Sequence, residues 1–114
     1  MKKDPKIFLS HIFESVEIIE KFIHGVSKEK FLKSLQLQDA VIRRLQVVGE
    51  AVKNLPPSLK EEYPQIPWKK IAGTRDIIIH EYFGIDLNLV WRIATEFVPE
   101  LKKNVSNILK DLEK

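Results

Sequence analysis

The chain has 114 residues, of which 31% are charged and 44% hydrophobic, and it contains no cysteine. That length suits one domain with one buried core, and the missing cysteines exclude a disulfide scaffold, a thiol nucleophile and any thiolate metal site. A net charge of +3 tolerates a nucleic-acid partner without demanding one. The N-terminal Met1-Lys2-Lys3 begins like a secretory signal, but Asp4 and Pro5 follow at once, and Ser10, His11 and Glu14 interrupt the apolar stretch behind them. No uncharged apolar run approaches the roughly 18 residues of a membrane span. The expectation is a cytoplasmic, single globular domain over residues 1–114, with no membrane partner.

Asp4 is a natural N-cap and Pro5 suits the first helical position. Behind them Phe8, Ile12, Ser15, Ile19, Phe22 and Val26 step alternately by four and three, with Leu9, Val16 and Ile23 alongside. This predicts an amphipathic helix that stops at His24-Gly25. Ser27 offers a second start with Glu29 in its first turn, and the pattern leaves open whether 28–34 is its own short helix or joins the next. From about Leu37 the stripe returns in Val41, Leu45, Val48, Val52 and Leu55, and Pro56-Pro57 ends it. Asp39 and Arg43 stand at i,i+4 on its polar side. Ser58–Tyr63 suits one or two turns before a connector bounded by Pro64 and Pro67. Trp68 opens a helix to about Tyr82, which Gly84 terminates. Asp86 caps a last region where Leu87, Val90, Trp91, Ala94, Phe97, Leu101, Val105, Ile108 and Leu112 share a stripe, with a break or kink expected at Pro99. No alternating strand pattern, repeat or low-complexity segment is present. The expected architecture is all-α, an up-and-down antiparallel four-helix bundle with short extra helices.

Glycines at 25, 49, 73 and 84 form neither a phosphate loop nor a dinucleotide fingerprint. His11, His24 and His80 lack metal-ligand spacing; His80-Glu81 opens like a zinc-protease helix, but Gly84 stands where the second histidine belongs. Neither a metal nor a cofactor is therefore expected. The polar cluster that stands out is Thr74-Arg75-Asp76, followed by Ile77-Ile78-Ile79 and His80-Glu81-Tyr82. Three consecutive isoleucines predict a helix buried on most sides, where flanking charge is costly unless paired or used. Asp76 and His80 are i,i+4, so the carboxylate can orient the imidazole or raise its pKa. Arg75 and Tyr82 share a face at i,i+7, whereas Arg75 and His80 point about 140° apart around an ideal helix. A joint site for those two requires a local distortion or a symmetric partner chain. On spacing alone, an internal Arg–Asp–His network that locks the bundle is the commoner arrangement. Glu50, one heptad after Arg43, reads first as a packing ion pair. Gly49 costs about 1 kcal/mol against alanine within a helix and points to a close helix or subunit contact. Trp68 and Trp91 read as core or interface anchors before base-stacking platforms. Lys69-Lys70, ahead of the cluster, suit an RNA backbone, though exposed lysine pairs are ordinary.

Asp39-Ala40-Val41-Ile42-Arg43-Arg44, Val48-Gly49-Glu50-Ala51, Ile66-Pro67-Trp68, Gly73-Thr74-Arg75-Asp76, His80-Glu81-Tyr82-Phe83-Gly84-Ile85-Asp86 and Val90-Trp91 occur in this order over nearly the whole chain. Together they closely resemble the HepT-like branch of the HEPN superfamily. The most specific block runs from Arg75 to Asp86. The family's Arg-x4-6-His ribonuclease motif takes the form Arg-x4-His-x-Tyr in this branch, and Arg75, His80 and Tyr82 match it position by position. The residue after the arginine is often asparagine in such proteins; here it is Asp76, which sets a negative charge beside the phosphate site.

The resemblance implies a metal-independent endoribonuclease that works without cofactor as a homodimer or higher oligomer, its two motif helices facing each other. The RNA 2′-hydroxyl would attack the adjacent phosphate, His80 would accept or donate the proton, and Arg75 would neutralise the phosphorane's extra charge. Asp76, Glu50 and Arg43 would support or orient them. It also implies a toxin of the HEPN/MNT toxin–antitoxin type, silenced when a cognate MNT-type nucleotidyltransferase adenylylates Tyr82. Two rivals stand beside this reading. One is a catalytically inactive HEPN docking or regulatory subunit that binds the nucleotidyltransferase, for which Asp76 is the best argument. The other is a structural helical dimer with the motif as an internal network. The intact Arg75, His80 and Tyr82 favour the nuclease.

Overall fold

A computed structural model describes residues 4–80 and 84–114, with the backbone alone for 75–80. The Asp4 carboxylate accepts a hydrogen bond from the Lys6 amide at 2.9 Å, so α1 (Pro5–Ile23) begins capped. It ends in a tight turn in which the Ile23 carbonyl accepts from the Val26 amide at 3.0 Å. Within that turn Gly25 has φ 72°, the left-handed position of a type II turn that glycine enters without strain. The segment left open by the sequence pattern is a helix of its own, α2 (Lys28–Lys33). Ser34 is extended there, which ends α2, and its hydroxyl accepts the Leu37 amide at 3.2 Å to start α3 (Leu35–Lys53).

Gln38 supplies the tie between those two helices, and sequence reasoning did not single it out. It is buried, and its Nε2 donates to the Phe31 and Leu32 carbonyls at 3.0 and 3.1 Å, beside the Ser34 amide that also donates to Phe31. Phe31 is fully buried, its ring 5.2 Å from that of Trp91. The short α4 (Pro57–Glu62) leads to α5 (Trp68–His80). Trp68 is a core anchor, as expected: the ring is buried while Nε1 donates to the Lys60 and Tyr63 carbonyls at 3.2 and 3.1 Å. Asp86 caps α6 (Leu87–Arg92) by accepting the Leu89 amide at 3.1 Å. A π-helical turn over Ile93–Phe97 then joins α6 to α7 (Val98–Leu112).

The all-α expectation holds. Four long rods, α1, α3, α5 and the α6–α7 run, carry the bundle up and down, with α2 and α4 as short connectors and no strand among the described residues. Helix α3 packs against both α1 and α5, and α1 closes on α7. Leu9, Ile12, Val16 and Ile19 of α1 meet Val41, Leu45, Val48 and Val52 of α3, all buried, and Val98, Leu101, Val105 and Ile108 complete the core. Gly49 is buried on α3, as a close contact requires. Among the described residues no helix is long and apolar enough to cross a membrane.

Three expectations need correction. Phe22, placed on the α1 stripe by periodicity, is 38% exposed where the helix runs out beyond the core. The chain does not break at Pro99: helix continues from Leu87 to Leu112, and the proline sits in the first turn of α7. The π turn just before it absorbs the missing amide and the steric demand of the ring. Phe97, expected inside, is 50% exposed, and Val98 is buried in its place. The buried positions run Ala94, Val98, Leu101, Val105 and Ile108, so the stripe passes over Phe97. The expected end of α5 at Tyr82 falls at a residue outside those described.

Two polar contacts bind α7 to the rest. The Lys102 ammonium lies 3.0 Å from a Glu20 carboxylate oxygen, and the Tyr63 hydroxyl donates to Asp111 at 2.8 Å. Hydrogen bonding to Asp111 raises the Tyr63 pKa above the ordinary phenol value, with burial and the nearby carboxylates adding to it; the Glu20 carboxylate raises that of Lys102. A group whose pKa is raised on folding contributes stability fully below its unfolded value, about 10 for both, and loses it as pH climbs through the folded value. Stability should therefore decline as pH rises beyond about 10. Tyr63→Phe should lose about 0.5–1 kcal/mol near neutrality and show a shallower alkaline decline, with the Lys102 part remaining. Urea unfolding of both proteins from pH 7 to 11 measures this, and parallel profiles would show that Tyr63 plays no part.

Candidate active site

Helix α5 positions the motif. Trp68 fixes its start in the core, Lys69 and Lys70 are exposed in the first turn, and Ile71 and Ala72 pack against the core. The Thr74 hydroxyl donates to the Lys70 carbonyl at 3.0 Å, a bond within the helix that leaves its course unaltered. The backbone is α-helical without interruption from Trp68 to His80. Positions 75 and 80 therefore lie on one regular helix, about 140° apart. No distortion between them turns Arg75 and His80 to a common side. The side chains of Arg75, Asp76 and His80, the burial of Ile77, Ile78 and Ile79, the Asp76–His80 pairing, and all of Tyr82 lie outside the described residues.

Beside the first half of α5 runs a groove of about 590 Å³. Leu45 and Val48 of α3 and Ile71 and Thr74 of α5 line one side, and Leu89, Ile93 and Phe97 line the other. It reaches Thr74, the residue immediately before Arg75. Its described charged residues are Lys70, Asp86 and Glu100. Gly73 also borders it, and a Cβ added there would meet nothing within 4 Å. Among the described residues, this glycine therefore answers no packing need.

Arg43 and Glu50 lie elsewhere. Both line a second groove, of about 320 Å³, between α1 and α3, together with Phe8, His11 and Asn54. The Asn54 side-chain amide donates to the Glu50 carbonyl at 2.9 Å. The structure thus brings two of the expected supporting residues together and adds His11, which sequence spacing excluded only as a metal ligand. The two grooves share no described lining residue. The exposed position of Phe97 and the groove beside α5 were missed because both are set by packing between helices, which the apolar stripe alone does not give. Among the described residues, no group of three His, Cys, Asp or Glu side chains is placed to hold a metal ion.

Comparison with known proteins now bears on this site. A profile of the family described as "Ribonuclease HepT-like" matches residues 12–108. A Methanocaldococcus jannaschii protein named "Gamma-glutamylcyclotransferase and putative RNase MJ0434" is 47% identical over 114 residues, covering 100% of this chain and 51% of that protein. The chain thus spans about half the length of that relative. Caldanaerobacter subterraneus subsp. tengcongensis has a protein named "Putative RNase TTE0752", 43% identical over 108 residues, with 95% of this chain and 96% of that one covered. A Thermococcus cleftensis protein named "Probable ribonuclease HepT" is 41% identical over 110 residues, with 96% and 100% covered. No solved structure matches.

Gly73→Ala tests the open space directly. Replacing glycine inside a helix by alanine, at a place free of steric conflict, should stabilise the fold by about 0.5–1 kcal/mol. Thermal unfolding measures it; a fall in melting temperature would mean that position 73 is crowded in the folded protein.

Proposed function

The chain belongs to the ribonuclease HepT-like family, and we propose that it is a metal-independent endoribonuclease whose site is completed by a second copy of the chain. One observation carries this reading: the family match over 12–108 includes Arg75, His80 and Tyr82 at the spacing of the Arg-x4-His-x-Tyr motif. The chemistry needs only these side chains. A base removes the proton of an RNA 2′-hydroxyl, the oxygen attacks the adjacent phosphorus, and the bond to the 5′-oxygen of the next nucleotide breaks as that oxygen is protonated. Histidine is the side chain whose ordinary pKa allows both proton transfers near neutrality. Arginine offers a fixed positive fork to the extra charge on the phosphorane. The regular course of α5 through both positions supports the two-copy reading, because a second chain supplies the residue that one helix aims away.

The proposed setting is a HEPN/MNT toxin–antitoxin pair in the cytoplasm. Tyr82 lies two residues beyond His80 on the motif, so an adenylate on its hydroxyl brings bulk and a phosphate charge beside the proposed catalytic group. This repels RNA phosphate and obstructs the site together. Asp76 specifically favours the second reading, a non-cleaving subunit that docks a nucleotidyltransferase, because its carboxylate opposes phosphate binding.

Arg75→Ala and His80→Ala should each lower RNA cleavage by about a hundredfold or more while leaving the circular dichroism spectrum unchanged. Cleavage should persist in chelator and should not extend to DNA, which lacks the 2′-hydroxyl. A folded wild-type protein that cuts no RNA would favour the docking subunit, and two variants that unfold would favour an internal network. Tyr82→Phe should keep its cleavage activity in the presence of the cognate nucleotidyltransferase, ATP and magnesium, while the wild type is silenced. Mass spectrometry reads the modification, and silencing of Tyr82→Phe would remove the tyrosine from this role.

A further inference from the structure

We propose that the groove between α1 and α3 is a subsite for single-stranded RNA, in which Arg43 takes a backbone phosphate and Phe8 stacks a base. This rests on the ribonuclease reading above and names where the strand is held outside the Arg75–His80 motif.

Arg43, Gln46, Glu50 and Asn54 follow one another by three and four along α3, so they form one polar stripe. The stripe runs for about 16 Å. Phe8 and His11, at i,i+3 on α1, line the same groove of about 320 Å³. That volume stands at the small end of ligand sites, which span about 300–1,000 Å³, and suits one base with its phosphate.

Arg43 has two carboxylates at helical spacing, Asp39 at i,i+4 and Glu50 at i,i+7. Among the described residues it pairs with neither. A guanidinium in a groove without a carboxylate on it is a ready donor fork for phosphate. Phe8 is half-buried and packed against the core, which makes its ring a fixed platform. Stacking on such rings is how unpaired bases are held. Gln46 and Asn54 add amides, which both donate and accept, as base edges require. The bond from Asn54 Nδ2 to the Glu50 carbonyl, 2.9 Å long, tethers one of these amides, while its Oδ1 has no partner among the described residues.

Charge sets the direction of the strand. Glu50 lies seven residues beyond Arg43, about 10 Å along the helix, and its carboxylate repels phosphate from that end. The phosphate is thereby placed beside Arg43. The groove beside α5 lacks this set of groups, being mainly apolar with Asp86 and Glu100 against one lysine among its described residues. Helix α3 packs against the motif helix α5, and packed helices lie about 8–10 Å apart. One strand crossing α3 therefore reaches both the motif and the groove.

Fluorescence anisotropy with the full chain and a labelled, unstructured 2′-O-methyl RNA tests this, because that strand lacks the attacking hydroxyl. Arg43→Gln should weaken binding about tenfold, as loss of a charged hydrogen bond does. It should also lower the salt slope by about 0.7, the share of one phosphate contact on a single strand. Arg43 is exposed, so the circular dichroism spectrum should not change. Phe8→Leu should weaken binding about fivefold or more with an unchanged salt slope, since stacking releases no counterion. Lys28→Gln, at an exposed lysine of α2 outside the groove, should bind as the wild type does. Equal losses for Arg43→Gln and Lys28→Gln, or wild-type binding by both groove variants, would overturn the proposal. So would adenosine or uridine monophosphate that competes as well as the strand, which would make this a site for free nucleotides. A strand that binds as expected yet is not cut in its 2′-hydroxyl form would instead refute the ribonuclease reading and leave the subsite standing.

Discussion

Helix α3 must satisfy a neighbour on each flank, and the rest of the molecule is arranged by that demand. Its core stripe of Val41, Leu45, Val48 and Val52 is buried throughout. Val47 and Ala51 line the groove between α3 and α1, and α5 packs against α3 as well. A helix buried on three sides cannot carry charge there without compensation. Asp39, Arg43, Glu50 and Lys53 are accordingly exposed, and Arg44 is half-buried. The position of α5, and with it the motif backbone, follows from this packing and from the Trp68 anchor. The proposed chemistry therefore stands on a helix held at its start and along its length by the core.

Much of the fold could be read from residue order because the features that set it are local. Asp4, Ser27 and Asp86 accept the hydrogen bonds their positions suggest, and every apolar member of the α3 stripe is buried. What escaped depends on events that periodicity assumes away. A stripe drawn through Ala94 and Leu101 admits either Phe97 or Val98, and the packed chain buries Val98 and leaves Phe97 outside. Gln38 escaped for a related reason. Its role comes from the Ser34 break, which brings the Phe31 and Leu32 carbonyls at the end of α2 within reach of its amide, and no hydropathy pattern marks that placement.

The motif was legible in a different way. Residue types and spacing gave Arg75, His80 and Tyr82 as a set, while the divergence of Arg75 and His80 by about 140° on an ideal helix called for a local distortion or a partner chain. The backbone is helical without interruption through both positions, which supports the proposed two-copy reading. Arg43 and Glu50 were named from the same resemblance, and they line one groove together with His11.

The central claim is that one arginine and one histidine from different copies form each proposed site. Mixing folded Arg75→Ala and His80→Ala proteins under conditions that exchange subunits tests it most directly. In a mixed dimer one of the two sites regains both groups, so RNA cleavage should return from two inactive preparations to a substantial fraction of the wild-type rate. A mixture that exchanges subunits and stays as inactive as its components, while the wild type cleaves, would place both groups of each site on a single chain and contradict the account.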